Sequence, residues 1–181
     1  MPPVTSNARG GLRIRRLETS DSLEELTALL HRAYATLGDM GFNYTAVDQS
    51  VETTRERIEG KECYLGFVAD RMVGTFTLGP AAKRQSGCEW YGRPGIWIIN
   101  QFGVDPDRRG QGVGGQLLAF AERRAWELGA VETAVDTAER AQHLLELYAK
   151  HGYRQVGHVQ WPGKNYRSLV LSKALSNDPR A

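Results

Sequence analysis

Twelve consecutive residues hold the densest chemistry in the chain: Val104-Asp105-Pro106-Asp107-Arg108-Arg109-Gly110-Gln111-Gly112-Val113-Gly114-Gly115. An apolar run ends there, a turn containing Pro106 follows, and four glycines within six residues open a helical pattern. The first N–H groups of a helix have no partner inside it and carry partial positive charge. Glycine removes the Cβ that would hold a ligand's phosphates away from them. The spacing therefore predicts an anion site, since a tight turn alone needs only one or two left-handed positions.

Two anions compete at this level. Gly110-Gln111-Gly112-Val113-Gly114-Gly115 fits G-x-G-x-x-G, and Asp136 follows about 20 residues later, where a dinucleotide fold places its ribose-binding acid. A nucleotide-dependent oxidoreductase is thus a rival reading. Against it, residues 105–109 separate the strand from the first glycine, and a pair of strands follows Gly152 where a doubly wound sheet would continue with strand–helix units. No Lys-Ser/Thr follows the glycines, which excludes a Walker-type phosphate loop.

The rest of the composition narrows the field. The 181 residues carry a net charge of +2, too little for nucleic-acid binding on charge alone. No apolar run approaches the roughly 18 residues of a membrane span. Residues 1–11 lack a signal-peptide core and read as a disordered lead-in, so a cytoplasmic location, with no membrane partner, is expected. Cys63 and Cys88 are too few for a disulfide framework or a metal site, and no metal is implied.

The elements that must position the glycine loop are read from periodicity and punctuation. A strand is expected over 12–16, then a helix capped by Thr19, Ser20 or Asp21 that runs through Leu23 to Ala33 and fades near Gly38 and Gly41. A short helix over 51–58 precedes a hairpin of 63–69 and 72–78 around a two-residue turn, Asp70-Arg71. Residues 80–94 form a long loop of the kind that is usually functional. The β-branched run 96–104 reads as a central strand buried on both faces. A helix from the glycines to Gly129, a strand over 131–135, a helix over 140–151 and two closing strands, 153–160 and 166–173, complete the chain. The result is one mixed α/β domain over 12–175 with a short disordered tail over 176–181.

The run from Val104 to Gly114 resembles the acetyl-coenzyme A signature of the GNAT superfamily, in which Arg or Gln precedes x-x-Gly-x-Gly or Ala. Leu147-Tyr148-Ala149-Lys150-His151-Gly152-Tyr153 resembles that family's second landmark, a helical tyrosine followed by Gly-Phe or Gly-Tyr at the next strand. One departure is Ala141, where many members carry asparagine seven residues before the tyrosine. The resemblance implies a GNAT fold, a mixed sheet of about six to seven strands flanked by about four helices. It also implies an N-acetyltransferase that uses acetyl-CoA as cosubstrate and an amine as acceptor, by direct attack on the thioester. Members are often dimers, so a homodimer is compatible with it. A non-catalytic acyl-CoA binding module is the alternative within the same fold.

By that resemblance, the backbone of residues 111–115 cradles the pyrophosphate, with Arg109 and Arg108 beside it. The central strand splays from its neighbour at a bulge, exposing Phe102, Gly103 and Val104 to the pantetheine arm, with Gly103 suited to the bulge. A backbone N–H there would serve the acetyl oxyanion. Tyr148 is the candidate proton donor to the departing thiolate. The general base is open among Asp48, Glu89, Glu139, His143 and a chain of waters. Residues 41–50, 80–94 and 165–168 are expected to wall the acceptor, with Tyr44, Asp48, Glu89, Trp90, Tyr91 and Tyr166 binding it; Trp161 adds aromatic surface. Carboxylates beside aromatic faces suit the ammonium group of a small molecule, although Lys83, Arg84 and Arg93 add positive charge to the same loop.

Overall fold

In the computed structural model, residues 11–81 and 88–176 are described. The expected disorder of both termini, and the part of the long loop carrying Lys83 and Arg84, lie outside those residues. Seven strands, β1 (Leu12–Arg16), β2 (Glu62–Val68), β3 (Arg71–Pro80), β4 (Ile96–Val104), β5 (Glu132–Ala138), β6 (Arg154–Val159) and β7 (Ser168–Ala174), form one sheet in the order β1-β2-β3-β4-β5-β7-β6. Only β4 and β5 pair in parallel. A doubly wound dinucleotide fold would need further parallel pairs, so the topology removes that rival.

Four α-helices cover the sheet: α1 (Leu23–Asp39), α2 (Val51–Ile58), α3 (Val113–Glu127) and α4 (Gln142–Lys150). The two-residue period of β2 sorts its side chains between the faces. Cys63, Leu65 and Phe67 pack with Leu26, Leu29 and Leu30 of α1, whereas Tyr64 packs with Phe76 of β3 and with Leu117 and Ala121 of α3. Burial in the α1 core pushes the Cys63 thiol up to about 12, so it stays an unreactive packing group.

Three local expectations change. Ser22, rather than Thr19, Ser20 or Asp21, caps α1 by accepting from the Glu25 amide at 3.0 Å, because Asp21 is taken by a bidentate pair with Arg15 at 2.7 Å. The β2–β3 turn is Ala69-Asp70, since Val68 pairs with Arg71 and Ala69 stands at φ +53°. β5 runs three residues beyond 135, to Ala138, because it is paired throughout with β7.

Candidate functional site

β4 and β5 are neighbours only over Ile96–Ile98 and Glu132–Ala134. Beyond that point β4 stays with β3 and β5 stays with β7, so a wedge opens between them. The opening begins at an irregularity in β4. Thr75 faces Gly103 and Thr77 faces Asn100, which leaves Gln101 and Phe102 opposite one residue of β3. Gln101 takes φ +47°, a left-handed conformation rare outside glycine. The bulge therefore sits one to two residues before Gly103, the position expected to carry it. Gln101 is held by its side chain, whose Oε1 accepts from Gln49 Nε2 at 3.0 Å. Gly103 is needed for a different reason: a Cβ there would lie 3.0 Å from Ala33 Cβ, so its absence lets α1 close on the strand.

A cavity of about 600 Å³ fills the wedge. Its floor is Phe102, Gly103 and Val104 of β4 with Asp136 and Thr137 of β5; its walls are α1 on one side and α4 on the other. At one end stands the N-terminus of α3. Gly112 is its N-cap, at φ +78°, and no side chain caps it. The first intrahelical bond is Gln116 N to Gly112 O, so the amides of Val113, Gly114 and Gly115 precede it. At that φ an L side chain is strained, although a Cβ would meet nothing nearer than Gln116 Nε2 at 3.8 Å. Arg109 lines the cavity and donates to Ala33 O at 2.6 Å, which ties the loop to α1. Arg108 instead turns toward Gln111 Oε1 at 3.5 Å.

The loop is anchored beneath by Asp105, whose side chain is 1% exposed. It accepts from the Asp107 amide and from Arg32 and Arg71, at 3.0–3.2 Å. Burial by itself would raise the Asp105 carboxyl, but these donors overcome it and hold the group below the usual carboxylate range.

Three tyrosines line the cavity. Tyr34 donates to Phe102 O at 3.1 Å, and Tyr44 is engaged by Thr137 Oγ1 at 2.9 Å and the Ala138 amide at 2.7 Å. Tyr148 of α4 is 6% exposed, packs edge-on to Tyr153, and its hydroxyl makes no hydrogen bond among the described residues. Burial pushes all three phenols above their ordinary value.

The structure thus brings together Tyr148, Phe102, Gly103, Val104, Arg109, Gly110, Gly112, Gly114, Gly115 and Tyr44 around one cavity. Gln111 and Val113 do not line it, and the Val113 side chain is buried in the core. Of the other residues expected at the acceptor, Tyr166 stacks on Tyr44 at 4.6 Å, and Tyr91 donates to Asp136 Oδ1 at 2.9 Å. Trp90 lies under Arg93, 3.9 Å from its ring, and Asp48 and Glu89 are exposed; none of these five lines the cavity. Among the candidate bases, His143 lines it, whereas Glu139 is paired with Arg167 at 2.6 Å. The sequence singles out Asp136 only as the ribose-binding acid of the dinucleotide rival, and the structure places it instead among the residues that line this cavity. Sequence reasoning missed the bonds between two acceptor loops: Asn43 and Asn165 exchange amide contacts at 2.9 and 3.3 Å, and Lys164 Nζ donates to Asn43 O at 2.7 Å. No helix among the described residues is long and apolar enough to cross a membrane, and no group of three or more His, Cys, Asp or Glu among them is placed to hold a metal.

Comparison with known proteins bears on this geometry. A family profile described as an acetyltransferase (GNAT) domain matches residues 60–155. The S-(2-succino)cysteine N-acetyltransferase of Bacillus subtilis (strain 168) is 30% identical over 165 residues, covering 90% of this chain and 96% of that protein. The S-alkylcysteine N-acetyltransferase of the same organism is 23% identical over 143 residues, covering 77% of this chain and 78% of that one. Among solved structures, a GNAT family acetyltransferase from Elizabethkingia anophelis with acetyl-CoA bound superimposes with a TM-score of 0.65 at 19% identity, over 91% of this chain and 98% of that chain.

Proposed function

The chain belongs to the GNAT acetyltransferase family and is an acetyl-CoA-dependent acyltransferase; from that premise we propose that it acetylates the primary amine of a small, amino-acid-like molecule. The observation that carries the reading is the cavity itself. It joins an uncapped helix N-terminus, a splayed strand edge and an unengaged phenol within one space.

The residues present suit the cosubstrate. The amides at the start of α3, with no Cβ at Gly112, Gly114 or Gly115, offer donors to a pyrophosphate. Arg109 adds positive charge at that end. The β4 edge from Phe102 to Val104, freed from β5, offers backbone groups to the amides of a pantetheine arm. When bound, acetyl-CoA supplies an activated acyl thioester. A backbone N–H of the bulged stretch serves as donor to the carbonyl oxygen as charge builds on it. Tyr148 gives its proton to the departing sulfur, a role for which a phenol held protonated is suited.

The loops around Asn43 and Asn165 are bonded to each other, and Tyr166 stacks on Tyr44, which lines the cavity. Ordered loops beside a cavity of this size favour an acceptor small enough to enter it. The two Bacillus relatives are named for S-substituted cysteines, which are small amino acids bearing one primary amine.

The test is free-thiol release from acetyl-CoA with a panel of acceptors: S-(2-succino)cysteine, S-methylcysteine, other amino acids, polyamines, aminoglycosides, peptides and a folded protein. Turnover is expected on one of the small amines, foremost the S-substituted cysteines. Turnover on the folded protein alone, with every small amine at background, overturns the reading.

A further inference from the structure

We propose that His151 is an anion-binding residue of the coenzyme A site, whose Nε2 donates to the pyrophosphate as an imidazolium, so that cosubstrate affinity rises as pH falls. This rests on the reading of the cavity as an acetyl-CoA site.

His151 is the C-cap of α4 and lines the cavity. Its ring is fixed at one nitrogen, since Nδ1 lies 2.8 Å from Leu147 O. A carbonyl oxygen only accepts, so Nδ1 carries a proton whenever that bond is made. The state of the other nitrogen follows. In the neutral ring Nε2 has a lone pair and no hydrogen, and it donates only once the ring is an imidazolium. Among the described residues Nε2 has no hydrogen-bond partner.

The ring aims that nitrogen at the start of α3. A Cβ built on Gly115 would lie 3.0 Å from Nε2 but 3.9 and 4.0 Å from Cε1 and Cδ2, so the ring approaches tip first. A Cβ in a helix leans toward the N-terminus. The tip therefore stands on that side of Gly115, where the amides of Val113, Gly114 and Gly115 have no intrahelical partner. The last glycine of the run has its reason here, because a side chain at 115 would crowd the imidazole.

The charges nearby suit an anion. Arg109, from the loop before α3, and Lys150 of α4 line the same cavity. Lys173 of β7 runs its stem past Gly152 and is paired with Glu122 of α3 at 2.8 Å. His143 lies eight residues back along α4, about 12 Å at the helical rise, and Asp136 lines the cavity from β5. A pyrophosphate here meets helix amides and cations together. An anion that is held by the charged ring draws a proton onto it as it binds. The sign follows: the contact is complete at low pH and is lost as pH rises and the ring gives up its proton.

The test is calorimetry with coenzyme A and with 3′-dephospho-coenzyme A at pH 6 and pH 8.5. The second ligand keeps the pyrophosphate and lacks the phosphate monoester, which itself titrates near about pH 6. With it, the parent is expected to bind about tenfold tighter at pH 6 than at pH 8.5. His151→Gln removes the charge; it is expected to match the parent within about twofold at pH 8.5 and to be about tenfold weaker at pH 6. His151→Lys, a permanent cation, is expected to bind equally at both pH values. In the parent at pH 7.5, the ¹⁵N resonance of His151 Nε2 is expected to move toward the N–H range when coenzyme A is added. That measurement carries the test if the variants do not fold. An equal loss in His151→Gln at both pH values, or an Nε2 resonance that coenzyme A leaves in place, overturns the proposal. No acceptor enters these measurements, so they decide the role of His151 even if the small-acceptor reading fails. A parent that binds no coenzyme A removes the cosubstrate reading and this proposal together, whereas binding without proton uptake removes this proposal alone.

Discussion

Three tyrosines line the cavity, and their hydroxyls have different fates. Tyr34 is spent on the Phe102 carbonyl and Tyr44 on Thr137 and Ala138, whereas the Tyr148 hydroxyl meets no partner among the described residues. Burial also lifts the Tyr148 phenol above its ordinary value of 10.0, so it holds its proton across the whole assay range. A donor in that state acts mainly as charge develops on sulfur. Tyr148→Phe is therefore expected to leave acetyl-CoA affinity unchanged while kcat and kcat/KM fall together by about 10²-fold or more. The raised pKa has a signed consequence: the acid form is lost only above pH 10, so no alkaline limb from Tyr148 is expected in the parent below that pH. A fall of less than threefold in Tyr148→Phe at saturating acceptor, with chemistry shown to be rate-limiting by single turnover, removes Tyr148 from this role.

At the scale of elements, the glycine run does two jobs at once. Gly110 and Gly112 stand at φ +73° and +78°, which turns the chain from β4 into α3, and their missing side chains leave the helix terminus open. The two jobs can be separated. Gly112→Ala introduces left-handed strain, on the order of 1 kcal/mol, with little bulk. Gly112→Glu adds the same strain together with a negative charge where the pyrophosphate is proposed to lie. Calorimetry is expected to show Gly112→Ala close to the parent in acetyl-CoA affinity and Gly112→Glu weaker by at least tenfold, about 1.4 kcal/mol. Equal affinity for the two variants, both folded by circular dichroism, would place the pyrophosphate elsewhere.

Across the whole molecule, ionisable groups bound the pH range of stability from both sides. The carboxyls of Asp21, Glu62 and Asp105 are held below their ordinary values, chiefly by Arg15 for Asp21 and by Arg124 for Glu62; at Asp105 the Asp107 amide, Arg32 and Arg71 outweigh burial. A group lowered in the folded state stabilises above its unfolded pKa and loses that contribution as pH falls through the folded value. With ordinary values of 3.8 and 4.5, the loss begins below about pH 5. The phenols of Tyr34, Tyr44, Tyr148, Tyr153 and Tyr166 are raised by burial, so their contribution is complete below pH 10 and declines as pH rises beyond it. Thermal melts are expected to show a plateau between these limits. Asp105→Asn keeps the shape but removes the charge that Arg32 and Arg71 share, and should cost about 2 kcal/mol, or roughly 4–8 °C in Tm at pH 7. The difference between this variant and the parent is expected to shrink at pH 3. A constant difference from pH 7 to pH 3 would show that the Asp105 charge is not its source.

What the sequence by itself determined follows from forces that act between near neighbours. The bounds of α2 at Val51–Ile58 and of β4 at Ile96–Val104 are legible because periodicity and β-branching impose them locally. The same holds for the open start of α3, since glycine spacing and helix-end dipoles are properties of a dozen residues. What the tertiary structure alone decided depends on residues far apart in the chain. β5 reaches Ala138 because β7 pairs with it there, and Asp136 enters the cavity on that extension. Hydrogen bonds reach it from Tyr91, 45 residues earlier, and from Trp161, 25 residues later. Gln101 bears the bulge while Gln49, from the loop before α2, holds its side chain, so a residue with no turn propensity takes a positive φ. Gly103 looks from sequence like the bulge residue and is in fact the gap into which Ala33 fits. In each case the deciding energy is a packing or hydrogen-bond contact that no window of neighbouring residues contains.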